Sequence, residues 1–309
     1  MVFLLFIAGC LFLFFGGHFL VESSSQIARR FHVSELIIGL TLVSIGTSLP
    51  EVVVNIIASL QDESDVVIGN ILGSNISNTL LILGATGVLS PLIIPTCRLT
   101  RELRFYCFCI AVLALSIFAS HPYQLSSLNG ILLIICFFFA IYLFFIPKNE
   151  TKITQTHQAA SLLKSIPFFI IGCSMLPLGG HLLIDSALTL AQSFGLSISF
   201  ISLFAVALGT SLPELVTSLI AAYRGNTELA LGNIIGSNIF NITLVLGISA
   251  LIKPILFHTQ YISDIIVMSL AIIPVAIVLF FFNQSYFSKS LSSLMFFSYL
   301  VYSYYIWIR

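Results

Sequence analysis

The sequence predicts an all-α integral membrane protein of ten transmembrane helices, built as two inverted five-helix repeats. Three observations carry this. Of the 309 residues 58% are hydrophobic and 8% charged, with 28 phenylalanines and a mean hydropathy of +1.10, so an ordinary water-exposed surface cannot be made. The apolar residues gather into ten runs of spanning length. A single offset of 163 residues then aligns the first half of the chain with the second.

In order, the runs cover 2–25, 34–60, 65–89, 105–119, 126–146, 165–193, 197–223, 228–252, 262–282 and 291–308, the fourth being the shortest. Ile7-Ala8-Gly9-Cys10 superficially resembles a lipoprotein cleavage site, but no basic residue precedes it and the apolar run continues to Val21. The segment is therefore expected to be the first membrane helix. Lys148 to Lys164 is the longest polar stretch, so 1–147 is expected to form the first repeat, 148–164 a cytoplasmic linker and 165–309 the second repeat.

Lysine and arginine alternate from loop to loop. With both termini outside, the cytoplasmic side collects Arg29, Arg30, Arg98, Arg101, Arg104, Lys148, Lys152, Lys164, Arg224 and Lys289, leaving Lys253 and Arg309 outside. The expected location is the cell (inner) membrane. Asp62, Glu63 and Asp65 then fall in an outer loop and read as a solvated turn ahead of a cation-attracting vestibule. A net charge of zero argues against nucleic acid as a partner, leaving the lipid bilayer and small ions; no protein partner can be inferred. The six scattered cysteines read as small apolar fillers.

The repeat is sharpest at Gly46-Thr47-Ser48-Leu49-Pro50-Glu51, which recurs as Gly209-Thr210-Ser211-Leu212-Pro213-Glu214. Gly69-Asn70-Ile71-Leu72-Gly73-Ser74-Asn75-Ile76-Ser77-Asn78 likewise aligns with Gly232-Asn233-Ile234-Ile235-Gly236-Ser237-Asn238-Ile239-Phe240-Asn241. Each half crosses the membrane five times, an odd number, so the halves enter from opposite sides. Inverted repeats with interrupted helices mark alternating-access secondary transporters, whose site lies near the midplane where the halves meet.

A carboxylate at membrane depth costs several kcal/mol unless paired, protonated or bound to a cation, so Glu51 and Glu214 are the primary candidates. Pro50 and Pro213 lack an N–H and free a carbonyl in the preceding turn. Thr47 and Ser48 lie four and three residues before Glu51 and share its helical face; Ser74 with Asn78, and Ser237 with Asn241, repeat the four-residue spacing. The result is an oxygen-rich cage suited to Na⁺, Ca²⁺ or Mg²⁺, and the lack of a His/Cys cluster argues against zinc or copper. Gly69 with Gly73, and Gly232 with Gly236, offer small faces for close helix approach. Asn70, Asn75, Asn233 and Asn238 read as interhelical hydrogen-bond glue ahead of direct ligands, and His18 and His181 as packing residues ahead of proton-transfer groups.

The two duplicated motifs, in a ten-helix chain, resemble the sodium/calcium exchanger family of the cation/calcium antiporter superfamily, in a prokaryotic-type form. The resemblance implies Ca²⁺ held by Glu51 and Glu214 with the main-chain carbonyls of Thr47 and Thr210. It implies Na⁺ held by the same glutamates with Ser48, Ser211, Ser74 and Ser237 and the carbonyls of Ser44 and Ala207. Asn78 and Asn241 occupy the central amide or acidic positions; some members carry Asp at the second, which makes this chain unlike the potassium-dependent pattern. Helices 1 and 6 slide to switch access in that family. No cofactor is implied, the ions being cargo.

The expected function is exchange of Na⁺ for Ca²⁺ at a shared midplane site, with Ca²⁺/H⁺ antiport as the alternative, since a carboxylate can carry a proton. A cation channel could share the cage, but inverted halves without a pore ring favour a carrier. An intramembrane hydrolase would need both acids on one water and a peptide-sized opening.

Overall fold

The structure is a computed structural model, and it describes residues 2–92, 96–119, 123–146, 162–193, 209–280 and 287–308. Its helices are α1 (Val2–Phe31), α2a (Glu35–Thr47), α2b (Leu49–Leu60), α3 (Ser64–Leu89), α4 (Thr96–Phe118), α5 (Ser127–Phe145) and α6 (Leu162–Ser193) in the first part of the chain. There follow α7 (Leu212–Tyr223), α8 (Thr227–Ile252), α9 (Ile262–Ala271, continued by Ile273–Phe280) and α10 (Lys289–Ile308). Every one of the ten apolar runs thus carries helix, although the first half of the seventh, and most of the 148–164 linker, lie outside the described residues.

Among the described residues, seven helices are long and apolar enough to cross a membrane unbroken, and α2 makes an eighth when its halves, bent by 46°, are joined. The fourth span is longer than its apolar run suggested. α4 starts at Thr96 and has 23 residues, because Arg98, Arg101, Glu102 and Arg104 extend the helix beyond the apolar part. Long basic side chains at a helix end can keep their charge at the interface while the stem stays on apolar surface.

The inverted relation between the halves is written in the glycine contacts. A methyl group on Gly9 would stand 2.9 Å from the carbonyl oxygen of Gly179, and one on Gly172 would stand 2.9 Å from that of Gly16. Because Gly172 and Gly179 are the repeat equivalents of Gly9 and Gly16, these are one contact seen twice. As the number rises on α1 it falls on α6, so the two helices run antiparallel, backbone against backbone. The same exchange occurs further out: Gly84 of α3 abuts Phe296 of α10, and its equivalent Gly247 of α8 abuts Leu133 of α5.

Loops sort onto two faces as alternate crossings require. On one face Gln124–Leu125 (β1) pairs antiparallel with Ile255–Leu256 (β2), Asp62 meets Lys253 at 2.7 Å, and the Tyr261 hydroxyl donates to the Asp65 carbonyl at 3.3 Å. On the other, the Phe287 N–H donates to the Leu92 carbonyl at 2.9 Å, which is the repeat image of the β1–β2 pairing. Asn226 Nδ2 donates to Ser25 Oγ there at 2.8 Å.

The packing role expected of the two histidines does not hold. His18 is 39% exposed and meets Glu22 at 3.3 Å and the guanidinium of Arg224; His181 is 74% exposed and meets Asp185 at 3.4 Å. A four-residue helical spacing with an acid explains both pairs.

Candidate functional site

The site begins at the break in α2. Thr47 closes α2a, Ser48 takes φ −86° and ψ 7°, and Pro50 sits in the first turn of α2b. Proline is accommodated there because the opening amides of a helix have no intrahelical partner. Ser211, with φ −86° and ψ 0°, precedes Pro213 in α7 in the same way. Glu51 and Glu214 therefore each stand in the first turn of a half-helix, whose positive dipole end favours a negative side chain. Glycine opens each motif, where another helix packs closely. A methyl group on Gly46 would lie 2.5 Å from Cys173 Sγ, and one on Gly209 would lie 2.6 Å from Ile184 Cδ1, so α6 rests on both copies.

The two carboxylates are brought together deep in the bundle, each 1% exposed and close enough to interact electrostatically. Ser48 Oγ, from the first repeat, donates to Glu214 Oε1 at 2.9 Å, and Ser237 Oγ approaches the same oxygen at 3.4 Å. Thr210 and Ser74 have their hydroxyls 3.4 Å apart and stand beside Glu51, but neither closes a hydrogen bond to it. Each glutamate is thus attended by hydroxyls from both repeats.

Buried oxygens without a partner are the distinguishing feature. They include both oxygens of Glu51, Oε2 of Glu214, Oγ of Ser211, and Oδ1 of Asn78 and Asn241. A buried acceptor with no donor is costly, and a buried carboxylate more so, which is the arrangement a desolvated cation would complete. Among the described residues no group of three or more His, Cys, Asp or Glu side chains is arranged to hold a metal ion. The donor set is two carboxylates and neutral oxygens, which suits hard cations.

The other expected site residues fall as follows. Asn78 and Asn241 lie one helical turn beyond Ser74 and Ser237, in π-helical turns that span Ser77–Ile82 and Asn241–Val245. Such wide turns recur at functional positions. Asn241 Nδ2 donates to Asn75 Oδ1 at 3.2 Å. The carbonyl of Ser44 accepts the Ser48 N–H at 3.0 Å and the Thr47 hydroxyl at 3.4 Å. Ala207 lies outside the described residues. Gly232 and Gly236 draw α8 onto α2a: methyl groups there would stand 2.5 Å from the Leu36 carbonyl and 2.7 Å from Ser44 Oγ. Methyl groups on Gly69 and Gly73 would meet no described atom within 4 Å, and residues 199–207, the repeat equivalents of 36–44, lie outside the described residues.

Sequence reading passed over Asn55 and Ser218. Both are buried, four residues after Glu51 and Glu214 respectively, and they hold the side chains of Asn70 and Asn233 at 2.8 and 3.0 Å. Their spacing from the glutamates was a usable signal, but it gives no sign of which helix they meet.

Comparison with known proteins follows the same lines. The family model described as sodium/calcium exchanger protein matches residues 1–146 and 164–308. The inner membrane protein YrbG of Escherichia coli (strain K12) is 39% identical over 263 residues, covering 81% of this chain and 79% of that one. The sodium/calcium exchanger MaX1 of Methanosarcina acetivorans is 32% identical over 296 residues, covering 82% and 83%. Among solved structures, the sodium-calcium exchanger NCX_Mj soaked with 2.5 mM Na⁺ and 0.1 mM Ca²⁺ superposes with a TM-score of 0.82 at 29% identity, over 97% of this chain and 96% of that one.

Proposed function

The chain belongs to the sodium/calcium exchanger family, and from that premise we propose that it exchanges Na⁺ for Ca²⁺ at one site between its two repeats. It is a cation/Ca²⁺ antiporter and an integral membrane protein, a transporter rather than an enzyme. The observation that carries the finer reading is the pair of buried carboxylates with three unpartnered oxygens in a shell of hydroxyls and amides.

Empty, the cage holds a charge of about −2 away from water, which opposes passage through a low-dielectric interior. One Ca²⁺ or several Na⁺ remove that cost. Because the ions share Glu51 and Glu214 they exclude each other, and a carrier that reorients only when loaded with one or the other is an antiporter. Glu51 and Glu214 are assigned as ligands to both ions. Thr47 and Thr210 serve Ca²⁺ through their carbonyls; Ser48, Ser74, Ser211 and Ser237, with the carbonyls of Ser44 and Ala207, serve Na⁺. Asn78 and Asn241 stand at the centre. Sodium is preferred to protons because the oxygens around the glutamates are hydroxyls and amides, which coordinate a dehydrated cation but carry no titratable proton.

The repeats are assigned to 1–147 and 165–309, joined by a cytoplasmic linker at 148–164, with both termini outside. A cell-membrane location accords with the inner membrane protein among its relatives. The deciding experiment is Ca²⁺ uptake into proteoliposomes with and without an imposed Na⁺ gradient at clamped pH. Sodium-driven uptake is expected; uptake indifferent to Na⁺ and driven by a pH gradient would replace Na⁺ with H⁺.

A further inference from the structure

Two hydrogen-bonded chains cross between the repeats behind the cage. The Thr47 hydroxyl of α2a donates to Asn233 Oδ1 of α8 at 3.0 Å, and Asn233 Nδ2 donates to Ser218 Oγ of α7 at 3.0 Å. The same amide lies 3.5 Å from the main-chain carbonyl of Glu214. In the mirror arrangement, the Thr210 hydroxyl donates to Asn70 Oδ1 of α3 at 3.1 Å, and Asn70 Nδ2 donates to Asn55 Oδ1 of α2b at 2.8 Å. Asn55, Thr47, Ser218 and Asn233 have no exposed surface, and Asn70 is 4% exposed.

We propose that Asn70 and Asn233 are positioning residues of the ion cage, each locking the motif threonine of the other repeat to the glutamate-bearing half-helix of its own. The proposal rests on the antiport reading for its functional consequence and on geometry for its connectivity. Asn233 ties the residue before Ser48 to the helix that carries Glu214, and Ser48 is itself bonded to Glu214, so two adjacent residues of one motif are fixed to one half-helix of the other. Fixing the threonine hydroxyl on an asparagine sets the side-chain rotamer and leaves the main-chain carbonyl as the oxygen that the threonine offers to a cation. Both clamps span the repeats, so the motif of each repeat is held in a set placement against the other. A neutral amide suits this role because it presents one acceptor and one donor end without adding charge to a site that already holds two carboxylates.

The test is a double-mutant cycle on the first clamp in proteoliposomes. Thr47→Val removes the hydroxyl while keeping shape and carbonyl, and Asn233→Ala removes its acceptor. Each is expected to raise the KM for Ca²⁺ by about fivefold, the factor of one buried neutral hydrogen bond, with the double variant no worse than the more impaired single one. Effects that multiply in the double variant, or a loss of folded protein with KM unchanged, overturn the proposal. Ser218→Ala covers the case in which Asn233→Ala does not fold: it loosens only the far end of the clamp and is expected to raise KM about two- to threefold, whereas a wild-type KM overturns the proposal. Wild-type vesicles in the same experiment separate the two readings. If they show no sodium-driven uptake, the antiport reading fails, and the clamp is judged by the same cycle in ion-free thermal unfolding, where non-additive losses support it and additive ones overturn it.

Discussion

Ser48 Oγ donates to Glu214 Oε1 at 2.9 Å, while Ser211 Oγ, its equivalent in the other repeat, has no partner and leaves both oxygens of Glu51 unmet. Identical motifs are therefore held in unlike surroundings. In ion-free protein, Ser48→Ala removes a donor from a buried carboxylate and is expected to cost about 1–3 kcal/mol; Ser211→Ala removes no such bond. Thermal unfolding in chelator and sodium-free buffer should show a lower Tm for the first variant only. Equal losses in the two would mean that the carboxylates are equivalently held.

Charge at the cage is the next point of test. Glu51→Gln or Glu214→Gln keeps the size of the side chain and removes one of two charges, leaving a site that can no longer neutralise a divalent ion. Either variant is expected to abolish Ca²⁺ transport while the protein still elutes as a folded species. Near-normal sodium-driven uptake by either one would remove that glutamate from the site.

Sidedness gives a test independent of the ions. Asp62 shares a face with Lys253 and with the β1–β2 pair, and Tyr223, 90% exposed beside Arg224, lies on the face where α1 ends. In a background without native cysteines, Asp62→Cys is expected to react with an impermeant thiol reagent added to intact cells, and Tyr223→Cys only after the cells are opened. The opposite pattern would invert the orientation and leave the fold as it is.

Much of this was readable because membrane insertion and duplication impose simple rules on sequence. Apolar length gave the ten spans, and the 163-residue offset joined Gly46 to Gly209 and Glu51 to Glu214. The antiparallel contact of α1 with α6 was not readable in this way; the structure supplies it, with Gly9 facing Gly179 and Gly172 facing Gly16. What could not be read is how the repeats interlock. An internal alignment says that Asn70 and Asn233 are equivalent but not that each reaches a threonine of the opposite half, because that depends on the placement of four helices. Nor can identical letters distinguish Ser48 from Ser211; their difference comes from packing. The Arg224 contact to His18 and Glu22 was likewise hidden, joining residues about two hundred positions apart with no counterpart visible in the offset.

Sodium and proton coupling differ in what the cage must release. Among the described residues, the oxygens around Glu51 and Glu214 belong to Thr47, Ser48, Ser74, Thr210 and Ser237, with the amides of Asn78 and Asn241 one turn further, and none of these exchanges a proton in the physiological range. A proton-coupled cycle would have to use the same two carboxylates that Ca²⁺ needs. Protonating either one removes a charge from the site, so in a sodium-coupled cycle transport should fall as the pH is lowered. In a proton-coupled cycle external acid would instead drive Ca²⁺ out, so the driving gradient identifies the counter-ion. Vesicles loaded with Ca²⁺ are diluted into media that differ only in Na⁺ or only in pH. Efflux is expected to follow added Na⁺ at constant pH and to be slowed by acid at constant Na⁺. If a pH gradient alone empties the vesicles in sodium-free medium and added Na⁺ changes nothing, the carboxylates exchange Ca²⁺ for protons, and the hydroxyl shell is left with the task of orienting them.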